Sequence, residues 1–169
     1  MENIHKDITE QQAFAKLSAL CARGEHCQHD MLEKMRQWGL DEEAQARVME
    51  RLVGGRFVDD ERYTRAFVRD KIQYNHWGRR KVEQALWLKH IDEGIAKQVL
   101  NDVDDSEYVA VLRPMLRQKQ RSITGRTDYE RYMKLLKWAV GRGFTTDVIR
   151  QCIDIGDEEE PFSAPDDDE

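Results

Sequence analysis

The residues of this chain best equipped for chemistry are its cations. Ten bases lie between positions 113 and 150: Arg113, Arg117, Lys119, Arg121, Arg126, Arg131, Lys134, Lys137, Arg142 and Arg150. Only three acids stand among them, Asp128, Glu130 and Asp147, a local balance of +7. Arg79, Arg80 and Lys81 form a second group directly after Gly78. Guanidinium and ammonium groups at this density suit phosphates or carboxylate-rich surfaces, and act more on encounter rate and salt sensitivity than on raw affinity. The candidate contacts to an acidic protein surface or to DNA are Arg79, Arg80, Lys81, Arg117, Lys119, Arg121, Arg126, Lys134 and Lys137. Taken singly, each also fits a solvated helix face.

Other chemistries are poorly supplied. Cys21, Cys27 and Cys152 are an odd set with no CxxC pair, and Cys21, His26, Cys27 and His29 match no common zinc spacing. Reduced thiols and no metal are expected. His5, His26, His29, His76 and His90 have no nucleophile or carboxylate at catalytic spacing. Gly54-Gly55-Arg56 and Gly141-Arg142-Gly143 are too short to cradle a phosphate and read as helix ends. No P-loop, dinucleotide fingerprint, HExxH or nucleophile elbow occurs. The chain therefore reads as a non-enzyme without cofactor. It has no apolar run approaching the ~18 residues that span a bilayer. The stretch Met1 to Asp7 is too polar for a secretory core, so the expected location is the cytoplasm.

The formal charge of −6 conceals an uneven distribution. Residues 157 to 169 carry eight acids and no base, so without them residues 1 to 156 stand at +2. An electropositive body followed by an acidic, Pro-containing disordered arm is expected.

The elements that must position the cations are helical. Charged residues make up 36% of the chain and prolines number only three, with good helix formers filling the longer stretches. The chain also repeats itself. Gly39-Leu40-Asp41, His90-Ile91-Asp92 and Gly143-Phe144-Thr145 each join two amphipathic runs, at separations of 51 and 53 residues. Glycine suits the left-handed residue that ends a helix, an apolar plug follows, and Asp41, Asp92 and Thr145 (or Thr146) offer an N-cap oxygen. His90 stands where the other two copies have glycine. Met31, Met35, Leu40, Ala44, Val48 and Leu52 fall opposite Val82, Leu86, Ile91, Ile95, Val99 and Val103, and opposite Leu135, Ala139, Phe144, Val148 and Cys152 in the third copy. These are the expected core positions.

A further amphipathic run precedes each pair, at Gln12 to Ala22, Glu61 to Tyr74 and Ser106 to Gln120; Pro114 is expected to kink the last of these or mark its start. The predicted architecture is all-α: an N-terminal arm (1–10), three tandem three-helix, helix-turn-helix-like repeats (11–55, 56–105 and 106–155) in an elongated, curved array, and an acidic tail (156–169). A short open array of this kind implies a monomer.

Residues 57–71, from Phe57-Val58-Asp59-Asp60-Glu61-Arg62-Tyr63 to Lys71, followed by Gly78-Arg79-Arg80-Lys81-Val82, Leu86 and Ile91, resemble the RecX family. Its members carry a similar hydrophobic-x-Asp-Asp-x-Arg-aromatic stretch at the entry to their second repeat. Leu20, Arg23 and Gly39-Leu40-Asp41 are similar to the first-repeat pattern, whereas Gly24-Glu25-His26-Cys27 departs from it. The motif residues are Asp59, Asp60, Arg62, Tyr63 and Gly78. Asp59 and Asp60 also fit simple capping acids able to pair with Arg62 or Arg56, Gly78 fits a turn, and Trp77 fits a core plug before a partner contact or a base-stacking platform.

The resemblance implies a regulatory protein that binds RecA recombinase and its filament on DNA and limits strand exchange, ATP hydrolysis and co-protease activity, with consequences for DNA repair, recombination and the SOS response. A second class is a sequence-independent DNA-binding protein acting without RecA, since helix, tight turn and helix resemble a DNA-binding module. The runs Glu42 to Val53 and Glu93 to Val103 are mixed or acidic, which argues against a sequence-specific repressor.

Overall fold

A computed structural model of the chain describes residues 8–156; the acidic tail and most of the N-terminal arm lie outside the described residues. The described chain is all-helical: α1 (Glu10–Arg23), α2 (Gln28–Gln37), α3 (Glu42–Gly54), α4 (Asp60–Gln73), α5 (Arg79–Leu88), α6 (Glu93–Asn101), α7 (Asp105–Gln120), α8 (Asp128–Gly141) and α9 (Thr146–Gly156). They form tandem three-helix repeats, α1–α3, α4–α6 and α7–α9. None of the described helices is long and apolar enough to cross a membrane.

The three repeated tripeptides make one and the same joint. After α2, α5 and α8 the chain turns left-handed at Gly39 (φ 76°), His90 (φ 54°) and Gly143 (φ 93°). The following amide then reaches back five residues: Leu40 to the Met35 carbonyl (3.1 Å), Ile91 to Leu86 (3.2 Å) and Phe144 to Ala139 (3.2 Å). This bond and the shorter one beside it satisfy carbonyls that a helix end leaves open. His90 thus does the work of glycine, against a steric cost of about 1–2 kcal/mol for an L-residue in that region. On the far side Asp41 accepts from the Ala44 amide, Asp92 from Ile95 and Thr145 from Val148. Thr145 is therefore the cap and Thr146 the first residue of α9.

By contact the chain divides into two compact units, Met1–Phe67 with Leu86–Val99, and Val68–Ala85 with Leu100–Glu169. In the first unit α1 and α2 pack on α3 around Ala13, Leu17, Met31, Met35, Val48, Met49, Leu52 and Val58. In the second unit α7, α8 and α9 pack on one another. Tyr108, Leu112, Leu135, Ala139, Phe144, Val148, Ile149 and Cys152 are buried there. Each large apolar side chain so buried contributes roughly 1.5–3 kcal/mol. Of the expected core positions, Leu40, Ile95 and Val103 are only half-buried. Pro114 lies inside α7 and does not mark its start. It stands on the exposed face, and the residue four earlier, Ala110, is exposed too, so water can take the carbonyl that loses its amide partner.

Candidate functional site

A subset of the basic residues meets at α8. Lys134, Trp138 and Arg142 follow one another at four-residue intervals, which stacks them on one helix face, and Lys137 lies beside them. With Lys81 of α5 and Gly141 they line an open groove in the second unit. Its aromatic floor is Trp138, whose indole is half-buried. The Arg142 guanidinium stands 4.8 Å from the ring centroid and the Lys119 ammonium 5.7 Å. Cations over an indole face are held by the ring quadrupole. No acid is among the described residues that line the groove.

The position of Lys81 is fixed by backbone. The Gly78 amide donates to the Arg142 carbonyl and the Arg80 amide to the Gly143 carbonyl, each at 3.0 Å, tying the start of α5 to the α8–α9 turn. A Cβ on Gly78 would lie 2.2 Å from the Phe144 nitrogen. Gly78 serves close approach between two turns, a more exacting role than the turn expected of it. The Lys81 ammonium also lies 4.6 Å from the centroid of Trp77, which Lys71 approaches at 4.9 Å. Trp77 is half-buried, so it is not the fully enclosed core plug expected.

The motif acids serve as caps in two places. Asp59 accepts from the Arg62 amide and starts α4. Asp60 reaches α2, where Cys27 provides no side-chain cap, and accepts from the Gln28 amide at 2.9 Å. Burial pushes the Asp60 carboxyl above its ordinary range, with the Gln28 hydrogen bond opposing the shift. The expected pairing of these acids with Arg62 is replaced by another. The Arg62 guanidinium donates to Glu25 at 2.6 Å and to the Arg56 and Phe57 carbonyls, so it staples two turns together. Tyr63 is buried against Phe67, and burial raises its phenol strongly. This motif therefore has a structural task in the first unit.

The thiols are poorly suited to nucleophilic work. Burial pushes Cys27 up to about 11, and Cys21 and Cys152 also rise through burial. All three are free thiols. Among the described residues no group of three or more His, Cys, Asp and Glu is placed to hold a metal ion. His29 instead stacks on His90, with ring centroids 4.2 Å apart.

Comparison with known proteins gives this arrangement a family. Residues 59–100 match the model of the RecX second three-helix domain, and residues 105–153 that of the RecX third three-helix domain. The chain belongs to the RecX family. It is 28% identical over 149 residues to a regulatory protein RecX of Chlorobium limicola, covering 87% of this chain and 91% of that one. A regulatory protein RecX of Vibrio campbellii is 24% identical over 140 residues, with 83% and 88% covered. The crystal structure of RecX from Lactobacillus salivarius shares the fold at a TM-score of 0.76 and 17% identity, covering 86% of this chain and 95% of that chain.

Within this RecX chain the nine candidate cations have different situations. Lys81, Lys134 and Lys137 meet in the groove, and Lys119 approaches its tryptophan. Lys134 also donates to the Thr124 carbonyl. Arg80, Arg117 and Arg121 are exposed and do not line the groove; nor does Arg126, whose amide is bound by Glu130. Arg79 is engaged internally, with Glu83 at 2.9 Å and Asn101 at 2.7 Å. Sequence reasoning had not selected Trp138 or Arg142. The four-residue spacing of Lys134, Trp138 and Arg142 is the signal that could have found them.

Proposed function

We propose that this RecX-family protein binds RecA recombinase and its filament on DNA and restrains strand exchange, ATP hydrolysis and co-protease activity. It does so by binding alone, without catalysis or cofactor, and the groove of Lys81, Lys134, Lys137, Trp138 and Arg142 is its contact for an anionic surface. The observation that carries this reading is that four cations, Lys81, Lys134, Lys137 and Arg142, line one groove with Trp138 in a chain of this family. Paired with acidic protein surface or with phosphates, such a groove speeds encounter and loses strength as salt rises. Regulation of DNA repair in the cytoplasm follows from the same reading.

The test is ATP hydrolysis by RecA of the same organism on single-stranded DNA, with the protein titrated in at moderate and high salt. Inhibition is expected, and it weakens in a folded Lys81→Glu, Lys134→Glu, Lys137→Glu variant. Substoichiometric inhibition would favour blocked filament extension and stoichiometric inhibition groove binding along the filament. Undiminished inhibition by the triple variant would dispose of the groove's role. A second reading, sequence-independent DNA binding without RecA, draws support from Trp138, because an aromatic ring among cations suits single strands. It predicts DNA affinity that falls steeply with salt and shows no sequence preference.

A further inference from the structure

We infer that the acidic segment Asp157–Glu169 is an internal competitor for the Trp138 groove, so that an anionic partner must displace it to bind. The inference rests on the groove being an anion-binding surface, as proposed above. Charge complementarity is the first argument. The segment carries its eight acids as two blocks of four, Asp157 to Glu160 and Asp166 to Glu169, separated by Pro161-Phe162-Ser163-Ala164-Pro165. The groove offers Lys81, Lys134, Lys137 and Arg142, with no acid among the described residues that line it.

Reach is the second argument. Arg142 lines the groove and caps α8, and α9 starts four positions later. The 11 residues of α9 rise about 1.5 Å each, so its end lies within roughly 27 Å of Arg142 once the intervening turn is included. At about 3.3 Å per residue the first block, one to four residues past that end, reaches only about 13 Å, whereas the second, ten to thirteen residues past it, reaches about 33–43 Å and can span the distance. Tethering on this scale gives a local concentration of about 1 mM, so a segment that binds the groove with a dissociation constant near 0.1 mM would weaken a competitor about tenfold.

The experiment compares the full chain with a variant in which all eight acids are replaced by their amides, each with and without Lys134→Glu and Lys137→Glu. A fluorescein-labelled 20-nucleotide oligo(dT) serves as the polyanion, read by anisotropy at low and high salt. Indole N–H resonances of ¹⁵N-labelled protein provide a second readout. The amidated chain is expected to bind the oligonucleotide about tenfold more tightly at low salt, with the gain lost at high salt and in the Lys134→Glu, Lys137→Glu background. The Trp138 resonance should move between full and amidated chains while that of Trp87, 75% exposed in the other unit, stays in place. A gain that survives in the charge-reversed background would overturn the proposal in favour of general repulsion, and an unmoved Trp138 would overturn it directly. If neither chain binds the oligonucleotide, the anion-binding reading fails for DNA, and the Trp138 comparison still decides whether the segment occupies the groove.

Discussion

Replacing Gly78 by alanine would push a methyl group into backbone. The added Cβ would sit 2.2 Å from the Phe144 nitrogen, 2.3 Å from the Gly143 carbonyl carbon and 2.4 Å from the Phe144 Cα, where ordinary contact begins at 3.4 Å. Gly78 is not in the left-handed region, so the penalty is one of space alone. The α8–α9 turn must retreat by about 1 Å, since peptide atoms cannot rotate away as a side chain can. Overpacking of this kind costs about 1–3 kcal/mol. The two 3.0 Å hydrogen bonds across the junction stretch at the same time, at about 0.5–1.5 kcal/mol each. A loss near 4 kcal/mol is therefore expected, a large part of the 5–15 kcal/mol typical of a folded domain. Urea unfolding followed by circular dichroism measures it, with Gly54→Ala as control because a Cβ there meets nothing within 4 Å. A Gly78→Ala midpoint equal to that of the wild type would refute the steric argument and, with it, the account of how Lys81 is placed beside Trp138.

Two further substitutions test the packing. Asp60→Ala should cost about 1–2 kcal/mol by uncapping α2, whereas Asp60→Asn keeps the acceptor and should be nearly neutral in urea unfolding at pH 7. The Asp60 carboxyl is raised in the folded state, so its contribution is fully present below the ordinary carboxylate pKa and is lost as pH rises through the folded value. Wild type should accordingly gain on Asp60→Asn as pH falls through the acid range, and a gain in the opposite direction would contradict the burial of that group. Tyr108 is buried with no hydrogen-bond partner for its hydroxyl among the described residues, and burial pushes it up to about 12. Tyr108→Phe should leave thermal stability unchanged or raise it by up to about 1 kcal/mol, because an unpaired buried hydroxyl contributes nothing to offset its desolvation.

Local chemistry was the most legible part of the sequence. The Gly39, His90 and Gly143 joints could be read because every group that forms them lies within a few residues, and the left-handed turn follows even where histidine replaces glycine. The stripes around Met31, Val82 and Leu135 followed from helical period alone. What could not be read depends on residues distant in sequence. Nothing local tells that Asp60 caps a helix 32 residues earlier, or that Arg62 turns to Glu25. Of the two partners of Arg79, Glu83 lies one turn on in the same helix and is legible from spacing, whereas Asn101 lies in a different helix of the repeat. Trp138 is illegible for another reason: charge alone marks the cations around it, and only their four-residue spacing with the ring singles it out.

The borrowed caps give the repeats an order in time. The α2 amide of Gln28 is completed by Asp60, and the α5 amide of Arg80 by the carbonyl of Gly143, 63 residues further on. Only α8 among these three middle helices is capped from within its own first turn and the residue before it, through Thr127 and Glu130. A chain emerging from the ribosome at about 5–20 residues per second must therefore hold the start of α5 open for about 3–13 s before its partner exists. During synthesis the earlier repeats wait for their successors, and the third repeat, made last, closes the second as it folds.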